Sequence, residues 1–148
     1  MRLRMFVLVT AVLGTVLVPA TAAQAAAPAV QITKVYYNSP GSDNRSNTSL
    51  NAEYVVLKNT TRGKLNLSGW TLRDKSNHVY KFTGTFYLGA GKSVTIHTGK
   101  GRNSATHRYW GSRAYIWNNT GDAAYVRNKA GRSVDSCSWR SKGSYTYC

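Results

Sequence analysis

Apolar and polar positions alternate over short stretches along most of this chain. The run Glu53-Tyr54-Val55-Val56-Leu57-Lys58-Asn59 sets Glu53, Val55 and Leu57 in one phase and Tyr54, Val56 and Lys58 in the other. That period of two predicts a strand over residues 53–59, covered on one face. Asn59-Thr60-Thr61-Arg62-Gly63 follows as turn chemistry. In Leu67-Ser68-Gly69-Trp70-Thr71-Leu72-Arg73-Asp74, Trp70 and Leu72 oppose Thr71 and Arg73. This predicts a strand over 70–74, and two strands so near in sequence are expected to pair. Val55, Leu57, Trp70, Leu72, Val94 and Ile96 are the expected inward set.

Similar patterns place short strands at 30–37, 65–67, 79–82, 93–98, 114–117, 124–127 and 133–138. Val30 and Ile32 share a phase, as do Val35 and Tyr37, and the slip near Thr33-Lys34 predicts a bulge. Residues 38–51 read as a long polar loop. Residues 99–111, glycine-containing and basic, read as a mobile loop around Tyr109-Trp110. Apolar residues never recur at helical spacing over three turns. Seven to nine short strands between regular turn signals predict an all-β sandwich.

The first residues change the domain boundaries. Arg2 and Arg4 precede an apolar stretch from Met5 to Val18, and Ala23-Gln24-Ala25 fits a small-x-small cleavage site. Residues 1–25 are therefore expected to be a cleaved signal peptide, with 26–148 as one secreted domain. A retained anchor is the alternative, but the apolar run falls short of the ~20 residues a spanning helix needs.

Charge adds a functional question. The chain has 20 Lys+Arg against 5 Asp+Glu, so removing Arg2 and Arg4 leaves 18 against 5, a net +13. The cations are scattered, without the like-charge blocks of a disordered arm. Two explanations stay open: mere solubility, or affinity for a polyanion, whether nucleic acid, an anionic wall polymer or anionic lipid headgroups. Arg102, Arg108, Tyr109, Trp110 and Arg113 are the candidate polyanion-binding set, mixing charge with rings suited to stacking. For Trp110 the favoured expectation is nonetheless a plug at one end of the sandwich.

Cys137 and Cys148 are the only cysteines. In an oxidising compartment they are expected to form one structural bridge across a hairpin turning at Lys142-Gly143. No CxxC or zinc pattern is present. His78, His97 and His107 lack acids or cysteines at metal-ligand spacing, and His97 should point outward. Asp43 and Asn44, with Asn47, are a weak calcium candidate, since one carboxylate is poor anion density for a cation. Glu53 is expected at a strand end, pairing with a buried amide or an arginine. Asp74 and Asp122 are expected to accept backbone N–H bonds beside turns. No cofactor or metal is expected.

Taken in order, the 53–59 and 67–74 runs, Tyr80-Lys81-Phe82, Leu88-Gly89-Ala90-Gly91 with Ser93-Val94-Thr95-Ile96, and Trp117-Asn118-Asn119-Thr120-Gly121-Asp122-Ala123-Ala124 resemble the lamin tail domain family. The likeness spans about residues 29–138. It implies an immunoglobulin-like sandwich and a noncatalytic module. Glu53, Tyr54, Val55, Leu57, Asn59, Leu67, Gly69, Trp70, Leu72, Asp74, Trp117, Asn118, Gly121 and Asp122 are then its structural motif positions. Two departures from the family are expected: a domain that stands alone, without rod or catalytic partner, and the added Cys137–Cys148 pair. The resulting expectation is a secreted, monomeric binding or structural module whose basic surface contacts anionic polymers or envelope proteins. A small secreted hydrolase such as a nuclease is the rival, marked by a pocket gathering Glu53, Asp74 or Asp122 with a histidine.

Overall fold

A computed structural model describes residues 26–140 and 143–148; the expected leader at 1–25 lies outside them. The elements in chain order are β1 (Val30–Tyr36), α1 (Asn47–Asn51), β2 (Tyr54–Asn59), β3 (Leu65–Asn66), β4 (Thr71–Arg73), β5 (Val79–Lys81), β6 (Tyr87–Leu88), β7 (Ser93–His97), β8 (His107–Tyr109), β9 (Gly121–Arg127), β10 (Ser133–Arg140) and β11 (Tyr145–Tyr147). They form an immunoglobulin-like sandwich. One sheet has five strands in the order β11-β1-β2-β7-β8, the other four in the order β10-β9-β4-β5, and β3 pairs with β6 alone.

Alternation decides which side chains lie between the sheets. Val55 and Leu57 of β2, Val94 and Ile96 of β7, Leu72 of β4 and Val126 of β9 are all buried. On β1 the register shifts between Ile32 and Lys34, as the phase slip predicts. The extra residue resets the alternation, so Val30, Ile32, Val35 and Tyr37 are all buried despite their mismatched spacing. Tyr37 stacks on Trp139 at 5.1 Å, and Trp117 meets Trp139 edge-on at 5.9 Å. Gly69 (φ 81°) and Gly121 (φ 133°) occupy backbone conformations that side chains disfavour.

Six expectations need correction. β2 and β4 do not pair; they lie in different sheets and share only the core. Trp70 is half-buried at the core margin, because its amide follows a tight turn, donating to Leu67 O at 2.9 Å. The 38–51 loop contains α1, started by Ser46, whose hydroxyl accepts from Ser49 N at 3.2 Å. Residues 114–117 form no strand, since the Ile116 and Trp117 amides donate to a carboxylate instead. The 99–111 segment holds β8, which runs parallel to β7.

The C-terminal hairpin is the sixth correction. β10 pairs with β9, whereas β11 pairs with β1 on the opposite sheet. Ser141 and Lys142 of the expected turn lie outside the described residues. The disulfide Cys137–Cys148 does form, with Cα atoms 5.9 Å apart, but it ties one sheet to the other. β11 does not pair back on β10, which keeps an open edge in its own sheet; it adds to β1 instead.

Candidate functional site

The carboxylates turn inward. Glu53 is fully buried and accepts from Trp117 N at 2.9 Å, Ile116 N at 3.1 Å and Thr98 Oγ1 at 2.5 Å. It therefore does for residues 116–117 what a neighbouring strand would do. Burial pushes its carboxyl from 4.5 up to about 7, against the pull of those three donors. Asp122 accepts from Ala123 N, Lys75 N and Asn118 N at 2.8–3.1 Å. Asp135 reaches across the sandwich to Ile32 N at 2.7 Å. Asp74 takes His78 N on one oxygen and His78 Nδ1 on the other, both at 2.6 Å. Asp43 alone of the five stays exposed.

Most of the cations turn outward, Arg73 and Arg108 being partly buried. Among the described residues the Asp74–His78 contact is the single ion pair, so no lysine or arginine there has a carboxylate within 4.0 Å. Arg45, Lys100 and Arg113 surround a recess of about 400 Å³, lined also by Asn47, Leu50 and Ser112. The Asn47 side chain fixes this wall by accepting from Lys100 N at 2.7 Å and donating to Lys100 O at 2.9 Å.

The five residues singled out from the basic segment do different things here. Arg102 and Arg113 are exposed. Arg108 lies half-buried with its guanidinium 4.0 Å from the Phe86 ring centre. Trp110 packs on the core, 5.9 Å from Trp117 and 5.8 Å from Tyr80. Tyr109 stacks on His97 at 5.0 Å. Trp110 and Tyr109 thus sit against different neighbours, and Arg113 belongs with Arg45 and Lys100. Arg45 and Lys100 carried no sequence signal beyond their charge, because α1 and the 99–101 backbone bring them to Arg113 only in the fold.

A second recess, of about 330 Å³, holds Asp43, Asp74, Ser76 and His78 beside Tyr115 and Asn118. It unites Asp74 with a histidine; Glu53 and Asp122 do not line it. Both Asp74 oxygens are engaged within the β4–β5 turn, as a turn-stabilising carboxylate would be. Asn44 Oδ1 likewise accepts from Ser46 N at 2.9 Å, which occupies one proposed calcium ligand. Among the described residues no group of three His, Cys, Asp or Glu side chains is arranged to hold a metal ion. His97 is half-buried on the outer sheet face, its Nδ1 2.7 Å from Asn51 O and its Nε2 3.0 Å from His107 Nδ1.

The motif positions have physical roles in this arrangement. Asn59 is buried, and its side-chain amide donates to Gly63 O, Leu88 O and Gly89 O at 2.8–3.1 Å. Leu67 and Trp117 are buried core residues, and Trp139 Nε1 donates to Asn118 O at 3.0 Å. No curated protein matches the chain. The family model described as Lamin Tail Domain matches residues 23–141. Its span covers every strand but β11 and includes the Glu53, Asp74 and Asp122 positions, and the chain belongs to the lamin tail domain family.

Proposed function

We propose that this lamin tail domain is a secreted, noncatalytic binding module that holds anionic polymers through its outward cations. The observation that carries the reading is the segregation of charge. Four of the five carboxylates accept backbone amides, so they neutralise little of the surface. A solubility surface has no need to keep lysines and arginines clear of every carboxylate, whereas polyanion binding gains from each free cation. Secretion is supported by the Cys137–Cys148 bridge. No described helix is long and apolar enough to cross a membrane.

Binding of purified protein to duplex DNA or heparin, followed across ionic strength, tests this. Affinity should fall steeply with salt as counterions are released. Replacing Arg45, Lys100 and Arg113 with glutamine should weaken binding more than replacing Arg62, Lys81 and Arg132. Equal losses would mean diffuse charge without a site, and no binding at ~50 mM salt would remove the reading. The hydrolase alternative rests on the Asp74–His78 recess. Metal-dependent cleavage of DNA or RNA, abolished by Asp74→Asn and His78→Ala, would replace the binding module with an enzyme.

A further inference from the structure

The outer face of the five-stranded sheet carries at least one aromatic side chain from every strand, and five of them form a single row. Register sets Tyr145 of β11 opposite Tyr36 of β1, Tyr36 opposite Tyr54 of β2, Tyr54 opposite His97 of β7, and His97 beside Tyr109 of β8. Their successive ring centres are 5.6, 5.4, 5.8 and 5.0 Å apart. Three of the four contacts are stacked, and the Tyr54–His97 pair is tilted at 56°. At the β11 end the row opens to solvent: Tyr145 is 46% and Tyr147 70% exposed. At the other end the Tyr109 ring lies against Gly101, where a Cβ would collide with it.

Folding does not ask for this row. Cross-strand pairs stabilise a sheet, but one or two polar or β-branched pairs would do so. The charges on the face point to a ligand. None of the five acids lies on these five strands, while Lys34 and Lys58 do. The Lys34 ammonium stands 4.5 Å from the Tyr145 centre and within 5.8 Å of Tyr147, Tyr36 and Tyr54. A cation is thus set among the rings, which suits a ligand that alternates planar groups with negative charge.

We infer that this face binds single-stranded nucleic acid, with the aromatic row meeting bases and Lys34 and Lys58 meeting phosphates. The inference rests on the polyanion reading above and adds to it a second contact surface, since no residue of the row lines the Arg45–Lys100–Arg113 recess. A duplex keeps its bases stacked on each other and offers only phosphates, which any outward cation can meet. A single strand offers base faces as well, and stacking on aromatic side chains is sequence-tolerant because every base has one.

Anisotropy with a labelled oligothymidine, an equal-length duplex and inorganic polyphosphate separates the two readings. Oligothymidine should bind about tenfold or more tightly than either competitor. Tyr147→Ser and Tyr145→Ser, at the exposed end of the row, should each reduce that binding about tenfold and leave polyphosphate binding unchanged. Tyr87→Ser is the control, being 52% exposed but on the separate β3–β6 ladder; it should change nothing. Melting curves of each variant exclude unfolding as the cause. Equal affinity for all three polymers with neutral tyrosine variants overturns the row as a site and leaves the polyanion module standing. Tighter binding of a neutral glycan than of oligothymidine overturns it in favour of a sugar platform, and no binding to any polyanion overturns both.

Discussion

Glu53 and Tyr54 are adjacent in sequence and belong to opposite regimes. Glu53 points inward, where its oxygens meet the Ile116, Trp117 and Thr98 donors. Tyr54 points outward, where its ring meets Tyr36 on one side and His97 on the other. The inward region has no freedom, because a buried donor without an acceptor destabilises by more than a hydrogen bond contributes. The outward region has freedom, since a half-exposed strand position tolerates many residues. Regular chemistry inside is therefore explained by folding, while the outward row is where the proposed ligand would act.

The largest expected effect breaks the inward half. Glu53→Ala leaves two amides and a hydroxyl without their acceptor, at ~1–3 kcal/mol for each that water cannot reach. Denaturant unfolding should show a loss of about 3 kcal/mol or more, against about 1 kcal/mol or less for Tyr54→Thr. Similar losses at the two positions would dissolve the distinction.

Next comes the bridge, which joins the two sheets and holds the end of the outward region. Closing a loop of about 12 residues stabilises by roughly 3 kcal/mol on the chain-entropy account. Intact mass should rise by two hydrogens on reduction. Amide exchange should then quicken in β11, whose ladder reaches only β1, while β2, β7 and β9 stay protected. Uniform loss of protection would show that the bridge holds the whole sandwich.

The same contrast explains what could be read from the sequence. Val55, Leu57, Val94 and Ile96 declare their direction within a few residues, and the Ile32–Lys34 bulge shows as a local phase slip. The Glu53, Gly69 and Asp122 motif runs in chain order, so a family resemblance could collect it. The aromatic row is different. Residues 36, 54, 97, 109 and 145 come together only through strand order, and β7–β8 pairing is parallel, which no local signal announces. Trp110 packs on the core, in keeping with its reading as a plug, though its doublet with Tyr109 hides opposite environments; α1 was missed because five residues are too few for a helical period.

Acidity probes the inward region more gently. Burial raises the Glu53 carboxyl to about 7 from 4.5, so between those values the native state holds a proton that the unfolded chain has released. Stability from this group is present at low pH and is lost as pH rises from about 4.5 to about 7, then stays level. His97 acts in the opposite sense. Burial first, with His107 adding to it, lowers its pKa below 6.5, so acidification below 6.5 favours the unfolded chain. Comparing parent with Glu53→Gln isolates the carboxyl: the parent should gain melting temperature relative to the variant on going from pH 7 to pH 5. A constant difference across that range would mean Glu53 keeps an ordinary affinity for its proton.

The smallest effect belongs to Lys34 on the outward face. Its ammonium is placed over four tyrosine rings, two of them on β11, so it should help hold that strand to β1. An exposed cation–π contact contributes about 0.5–1 kcal/mol. Lys34→Met keeps the aliphatic stem against the rings and removes only the charge. Lys58→Met removes a charge from the same face, where no ring contact is made by its ammonium among the described residues. The first substitution should lower stability by about 0.5–1 kcal/mol and quicken β11 amide exchange; the second should do neither. Both should weaken oligothymidine binding, since each removes a phosphate contact. If Lys34→Met leaves β11 exchange unchanged, the ammonium is not what fastens the strand, and the row's outermost rings are held by the Cys137–Cys148 bridge and backbone bonds alone.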